Sequence, residues 1–554
     1  MGERIFIGVA WPYANGSLHL GHVAGAYLPP DIFARYHRLK GNEVLMVSGS
    51  DQHGTPITVR AEEEGRPPRE IAAKYHEEFL DSWRRLGISF DLFTSTDTQN
   101  HHQLAQHFFL TLKDKGYIYR DTMALLYCPS CHRFLPDRYV EGTCPYCRFQ
   151  GVRGDQCDNC GKPLNSVDLI DPYCRICSAL PEVRESEHFF LRLSAFNDQL
   201  LAWVKGQSHW RQNVLNFTTH LLTEGLKDRA ITRDIEWGIP VPVPGFDSKR
   251  IYVWFEAVIG YLSASMEWSK NRGDEEKWRD FWQEDVKSYY FIGKDNIPFH
   301  TIIWPAMLSG YSGLNLPYDV PANEFLTLEG RPLSTSRNWA VWLPDYLERY
   351  DPDPLRYFLS VNMPQSGDTD FSWGEFVRRN NDELVATYGN LVHRVLTFTY
   401  RSFEGFVPSP AELDEKSKAL LKRAEDTFDA VDGLLYHCRF REAMRSTMSL
   451  AQEANRYLDD KAPWKRIEED REGCATSLYV ALSVISCLKT LLYPFLPFSS
   501  QKLHRLLGFE GRVEDASWAI AFLPSGQKLA SPEPLFVKLD EKIAAEESAK
   551  LGVG

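Results

Sequence analysis

Residues 5–22 read Ile-Phe-Ile-Gly-Val-Ala-Trp-Pro-Tyr-Ala-Asn-Gly-Ser-Leu-His-Leu-Gly-His. The apolar run Ile5–Val9 is closed by Pro12, Asn15 and Gly16, which reads as a buried strand entering a turn. His19 to Arg38 then reads as helix. A second apolar run, Glu43–Val47, ends at Ser48-Gly49-Ser50-Asp51. Strand, helix, strand in this order predicts a doubly wound parallel sheet, an α/β fold. Such sheets bind ligands at the carboxyl ends of their strands, so the polar turns 11–22 and 48–54 become candidate site segments. His19 and His22 are three apart and share one helix face. They sit beside the free N–H groups of a helix start, where phosphate binds. Gly21 removes a side chain where a nucleotide would approach. On spacing alone, an ordinary polar helix start is the commoner reading.

Outward from this stretch, the chain has 554 residues, and at about 150 per domain that is about three or four domains. Acidic residues number 75 and basic residues 62, a net charge of −13. That excludes a basic nucleic-acid coat but not a local RNA-binding face. The start has no apolar leader, and Phe6 does not fit a myristoylation signal after Gly2. The apolar stretch 478–498 is broken by Lys489, Pro494 and Pro497 and reads as a buried helix, not a membrane span. The expectation is a soluble, cytoplasmic protein.

Eight of the 11 cysteines form four CxxC pairs: Cys128/Cys131, Cys144/Cys147, Cys157/Cys160 and Cys174/Cys177. Two such turns complete a tetrahedral four-thiolate site, so four pairs predict two structural zinc ions with no open ligand position. The spacing leaves a nested and a sequential pairing of these turns both open. Cys438, Cys474 and Cys487 are expected in the core. Further apolar runs at Ile251–Phe255 and Tyr289–Ile292 predict that the sheet resumes after this insert. From about 376 the chain reads as helices: Leu384, Tyr388, Leu391, Val395 and Phe398 step by four and three, and 419–435, 441–458 and 476–492 follow as a bundle.

His19-Leu20-Gly21-His22 resembles the HIGH signature of class I aminoacyl-tRNA synthetases. The surrounding PYANGSLHLGH and the cysteine insert resemble the methionyl-tRNA synthetase family. Further blocks follow in that family's order: Asp51-Gln52-His53-Gly54-Thr55-Pro56, Tyr252-Val253-Trp254-Phe255-Glu256-Ala257, Phe291-Ile292-Gly293-Lys294-Asp295 with Phe299-His300, and Asn455-Arg456-Tyr457 before Ala462-Pro463-Trp464. The resemblance covers about residues 4–500. It implies a Rossmann-type sheet split by a zinc-knuckle insert and followed by a helical anticodon-binding bundle, and within the insert a nested pairing, 144/147/157/160 inside 128/131/174/177, rather than a sequential one. The implied divisions are 1–117 and 226–325 for the two catalytic halves, 118–225 for the insert, 326–375 for a signature loop and stem-contact region, 376–535 for the anticodon domain and 536–554 for a tail.

The resemblance also implies roles. ATP with Mg²⁺ would be held by His19, Gly21, His22, Gly293, Lys294, Asp295, Ser334, Thr335 and Ser336. His19, His22, Arg233 and Arg331 would act in catalysis. L-methionine would be held by Trp11, Tyr13, Asp51, Trp254, Ala257, Tyr261 and His300. Trp11, Val258 and Asn296 stand where many relatives carry Leu, Pro and Ile. Asn390, Arg394, Pro463 and Trp464 would read a CAU anticodon of tRNA(Met). The expected state is a monomer.

The signature loop departs from the family's KMSKS. Here it reads Arg331-Pro332-Leu333-Ser334-Thr335-Ser336-Arg337-Asn338, so Pro332 and Thr335 occupy the lysine positions. Arg331 is the candidate replacement cation. Two other readings stay open: a weakly active or non-catalytic tRNA-binding paralogue, and a class I synthetase for another apolar amino acid.

Overall fold

The computed structural model describes residues 2–553 except 155, 156, 158, 161–163 and 284, and only the backbone of Asp137 and Ser336. Five strands make the central sheet: β1 (Arg4–Val9), β2 (Glu43–Ser50), β3 (Leu92–Ser95), β4 (Lys287–Gly293) and β5 (Ala322–Asn323). Their order is β5-β4-β1-β2-β3, with every neighbour parallel. Ile5, Phe6, Ile7 and Val9 are fully buried. A parallel strand covered on both faces is apolar throughout, which is why this run does not alternate. The connection order reverses between β1 and β4, so a crevice opens at their carboxyl ends. The chain leaves β1 into a continuous helix from Leu20 to Leu39, with a wider π-type turn over Val23–Tyr27.

One expected strand is absent. Only Arg250–Ile251 is extended, and it pairs antiparallel with Thr232–Arg233 outside the main sheet. Val253–Glu256 instead begins a helical stretch that continues to Asn271. A short apolar run cannot by itself tell a buried strand from a buried helix, and the burial of Val253, Phe255, Val258, Ile259 and Leu262 supports the helix.

Between β3 and β4 the chain forms a long antiparallel hairpin, Ile118–Cys128 against Glu182–Leu191, in register from Ile118↔Leu191 to Tyr127↔Glu182. Beyond it, Val140–Thr143 pairs with both Gln150–Arg153 and Ile170–Cys174. This lobe has a separate small core of Leu126, Leu135, Val140, Val152 and Leu169 around buried cysteines.

The last third is helical. Glu415–Tyr436, Phe440–Lys461 and Arg471–Leu492 pack together. Among the described residues Arg471–Leu492 is the one helix long and apolar enough to cross a membrane, yet 94% of that stretch is buried in the bundle. Cys438, Cys474 and Cys487 are buried. A buried charge cluster ties the bundle to the helix that follows β1. Asp31 accepts from Arg35 Nε at 3.0 Å and Arg356 Nη2 at 2.6 Å, and Arg356 also donates to the carbonyls of Pro494 and Phe495. Against the cost of burial, the two guanidiniums hold the Asp31 carboxyl down to about 2. The terminal segment returns to the signature loop: Lys542–Ser548 is helical, Tyr350 donates to Glu547 at 2.9 Å, and the Asn338 amide donates to the Val553 carbonyl at 2.6 Å.

Candidate active site, metal centres and RNA-facing surface

His19 caps the helix that follows β1. The Gly21 N–H donates to His19 Nδ1 at 3.1 Å, and the His19 N–H donates to His22 Nδ1 at 3.1 Å. The two rings stack with centroids 3.8 Å apart. Burial lowers the pKa of His22 to about 4; burial and then the neighbouring ring hold His19 well below its ordinary value. Both are therefore neutral near pH 7. Because each Nδ1 accepts a backbone proton, each ring proton resides on Nε2. The pair presents two N–H donors at a helix start, a setting for phosphate oxygens. A Cβ on Gly21 would lie 2.5 Å from Leu333 Cδ1 and 3.0 Å from the His19 ring, so the signature loop packs directly on this glycine. His22 and Thr335 line one cleft of about 710 Å³ with Arg60, Arg138, Arg153 and Arg175.

Next to this turn is an apolar cavity of about 70 Å³. Trp11, Tyr13, Asp51, Trp254, Ala257, Tyr261 and His300 all line it, joined by Phe299, Val258 and Asn296. Tyr261 donates its hydroxyl to His300 Nε2 at 2.7 Å, and His300 Nδ1 donates to the Asn296 carbonyl at 3.0 Å. Burial pushes His300 down to about 4, so it is a neutral acceptor fixed from both sides. Trp254 donates to the Tyr13 hydroxyl. Trp11 lies so close to Gly260 that a Cβ there would meet the indole at 2.6 Å. Asp51 is the carboxylate of this wall. Burial, then Glu256, push its pKa well up, and His53 opposes the shift. Sequence reasoning gave no role to Phe299, although it adjoins His300. Its ring meets Trp254 edge-on at 3.9 Å between centroids. Glu256, His53 and His101 were also passed over; their pattern becomes visible only when three segments meet.

Gly293 ends β4, and Lys294 and Asp295 follow it at the same sheet end. Lys294 Nζ pairs with Glu324 at 2.8 Å and Asp368 at 2.9 Å. Burial pushes the Asp295 carboxyl up, opposed by its own backbone N–H and Lys294. Arg233 lies elsewhere. Its guanidinium sits 3.8 Å over the Tyr252 ring and lines a separate cavity of about 520 Å³, which shares Trp254 and Phe299 with the smaller one. Arg331 is in a two-residue strand paired to Leu326–Leu328 and lies 5.0 Å over Trp339. Ser334 and Trp339 close the loop with backbone bonds of 3.0 and 2.9 Å, and Asn338 turns it in a left-handed conformation, φ 49°. The Ser336 side chain lies outside the described residues.

The cysteines form two groups, Cys128/Cys131/Cys174/Cys177 and Cys144/Cys147/Cys157/Cys160. This is the nested arrangement. Sulfur–sulfur distances include 3.3, 3.5 and 3.9 Å in the first group, and 3.6 and 3.9 Å in the second. Four thiolates about 2.3 Å from a tetrahedral ion would be about 3.8 Å apart, so the donors fit one ion per group. The Asn159 amide, with the Phe149 N–H, draws the Cys147 thiol down to about 6, and the Ala179 N–H, with Cys131, draws Cys177 to about 7.

In the bundle, Asn390 and Arg394 lie one turn apart on Asn390–Ser402. The Arg394 guanidinium lies 4.1 Å over the Trp464 ring and pairs with Asp459 at 3.2 Å. Ala462, left-handed at φ 42°, ends the preceding helix, and Pro463 starts the next.

Residues 5–396 match the family described as tRNA synthetases class I (M), and residues 407–553 match the anticodon binding domain of methionyl tRNA ligase. With the paired-histidine turn at the sheet's reversal point, the fold is that of a class I aminoacyl-tRNA synthetase. A methionine–tRNA ligase of Dehalococcoides mccartyi (strain CBDB1) is 61% identical over 100% of both chains. One from Thermomicrobium roseum is 55% identical over 100% of this chain and 99% of its own. The structure of Mycobacterium tuberculosis methionyl-tRNA synthetase in complex with methionyl-adenylate superposes with a TM-score of 0.81 at 27% identity, covering 96% of this chain and 99% of that one. The chain belongs to the methionyl-tRNA synthetase family.

Proposed function

We propose that this chain joins methionine to ATP as methionyl-adenylate, releasing pyrophosphate, and passes the methionyl group to the 3′ end of tRNA(Met) with a CAU anticodon. The carrying observation is the pair of neutral histidines, His19 and His22, beside an apolar cavity with one buried carboxylate. In the first step a methionine carboxylate oxygen attacks the α-phosphorus in line, and the bond to pyrophosphate breaks. His19 and His22 donate Nε2–H to phosphate oxygens as charge builds. Gly293, Lys294 and Asp295 hold the adenosine, and Arg233 approaches the phosphates on substrate binding. Asp51 receives the ammonium group, while the aromatic wall and His300 take the thioether. In the second step a terminal ribose hydroxyl attacks the acyl carbon and AMP leaves. Mg²⁺ accompanying ATP supplies charge neutralisation to the triphosphate. The chain is read as a cytoplasmic monomer.

The deciding test is ATP–pyrophosphate exchange across a panel of amino acids. Exchange dependent on methionine supports the reading. Exchange with leucine or valine instead supports a synthetase for another apolar amino acid, and no exchange with any supports a tRNA-binding paralogue.

The eight cysteines would hold two zinc ions, each fully ligated, so zinc cross-links the lobe and leaves no position for substrate. Elemental analysis of the purified protein should find two zinc ions per chain, and Cys144→Ser should remove one while leaving the other. A single ion in the unaltered protein, or loss of both in the variant, contradicts two independent clusters.

Arg331 stands beside the vacant lysine position at Pro332. On substrate binding its guanidinium would leave Trp339 for the triphosphate. Arg331→Ala should slow exchange about tenfold, the order of one exposed charge-assisted contact. An unchanged rate removes Arg331 from the reaction.

A further inference from the structure

Behind the small cavity lies a buried charge network that the reaction above leaves without a role. The His53 N–H donates to Asp51 Oδ1 at 3.3 Å. The His53 ring, 2% exposed, puts Nδ1 2.7 Å from Glu256 Oε1 and Nε2 3.8 Å from Asp97 Oδ1. Glu256 is fully buried, and its other oxygen accepts from His101 Nε2 at 2.6 Å. Asp97 also faces His102 at 3.4 Å and Arg69 at 3.1 Å. Trp237 meets the His53 ring edge-on and donates to the Gln52 carbonyl at 2.6 Å. Glu256 therefore bridges the turn carrying Asp51, the helix carrying His101, and its own helix carrying Trp254 and Ala257.

Two carboxylates, Glu256 and Asp97, meet the His53 ring, and a third, Asp51, accepts from the His53 backbone N–H. Buried like charges push one another toward the neutral acid unless a cation stands among them. The His53 imidazole is the titratable group between Glu256 and Asp97, on the turn that carries Asp51. Burial alone would lower its pKa, but Glu256, then Asp97 and Asp51, raise it to about 9. Tyr13, the other titratable neighbour of Asp51, is pushed well up by burial and stays neutral.

We propose that His53, clamped by Glu256 and Asp97, is a positioning residue of the amino-acid site, whose cation favours the carboxylate form of Asp51 that receives the substrate ammonium. This rests on the reading of Asp51 given above. Without the cation, the Asp51 carboxyl moves further up. Neutral acid then fills the site at low pH, and affinity returns as pH rises. A purely packing role would weaken binding equally at every pH.

The test measures methionine KM in ATP–pyrophosphate exchange from pH 6.5 to 8.5. The unaltered protein gives the reference profile. His53→Gln, with His53→Asn as a second neutral replacement, should raise methionine KM at least tenfold at pH 6.5, narrowing to threefold or less at pH 8.5, with the KM for ATP unchanged. His53→Lys, which keeps a cation, should restore the unaltered protein's profile. A pH-independent loss, or no loss, overturns the inference. If neither neutral variant folds, neutron diffraction of the unaltered protein at pH 7.5 decides: hydrogens on both His53 ring nitrogens support the proposal, and one hydrogen overturns it. Asp51→Asn is the control. An unchanged methionine KM there overturns the reading of the cavity itself, whereas a raised KM there beside a pH-independent His53→Gln defect overturns this inference alone.

Discussion

His22→Ala should lower the maximal rate of methionine-dependent ATP–pyrophosphate exchange by roughly 10²–10³-fold, the cost of losing one preorganised donor to a developing oxyanion. The methionine KM should change little, because His22 does not line the amino-acid cavity. The size of the effect follows from how the ring is held. Its Nδ1 accepts the His19 N–H and its face stacks on His19, so the Nε2–H is aimed before substrate arrives. His22→Asn, which keeps an N–H donor of shorter reach, should recover part of the loss. Burial also sets the pH dependence. With the pKa lowered to about 4, the folded chain takes up fewer protons than the unfolded chain, whose histidines titrate near 6.5. The stabilising contribution is thus fully present above about pH 6.5 and is lost as pH falls from there toward 4. Exchange should accordingly show no step from His22 between pH 6.5 and 8. A step in that window that disappears in His22→Asn contradicts a neutral His22.

The strand–turn–helix at residues 5–39 could be read from sequence because three local signals agree there: a fully apolar strand, a Pro/Asn/Gly turn and a helix start. The two cysteine clusters were legible because CxxC spacing constrains a metal site locally, and the nested grouping follows from how Val140–Thr143 pairs on both sides. Ile251–Phe255 misled for the opposite reason. Its residues are buried on several faces, so neither period stands out, and helix wins through contacts made far along the chain. The cavity was legible residue by residue only through the family resemblance. Tyr13, Asp51, Trp254 and His300 come from four separated segments whose spacing carries no common period. The network under it was not legible at all. His53, Glu256 and His101 are 203 and 155 residues apart in their two contacts, and each alone reads as an ordinary polar residue. The return of the C-terminal segment onto Asn338 belongs with these, since a short helix and a chain end carry no signal of where they dock.

That separation of chemistry from recognition makes Trp464 the sharper test of the RNA reading. Trp464→Ala should leave pyrophosphate exchange within about twofold of the unaltered protein, yet lower kcat/KM for aminoacylation by roughly 5- to 150-fold, the 1–3 kcal/mol of one stacked base. The first half follows because exchange needs only methionine and ATP, whose proposed sites lie at the sheet. The second half follows from the local build. The left-handed turn at Ala462 and Pro463 at the next helix start fix where the indole points, and the Cys474 thiol donates to the Pro463 carbonyl at 3.2 Å. Arg394 lies over the ring at 4.1 Å, so it marks one face of the indole, and an incoming base takes the other or displaces the guanidinium. In either case Arg394 and Trp464 act together: the double replacement with Arg394→Ala should cost less than the sum of the single losses, as contacting residues do. Arg394→Lys keeps the charge but not the planar donor fork, so it should resemble Arg394→Ala more than the unaltered protein. Equal losses in exchange and aminoacylation for Trp464→Ala would mean that the ring closes the Ala462–Pro463 corner and reads no base.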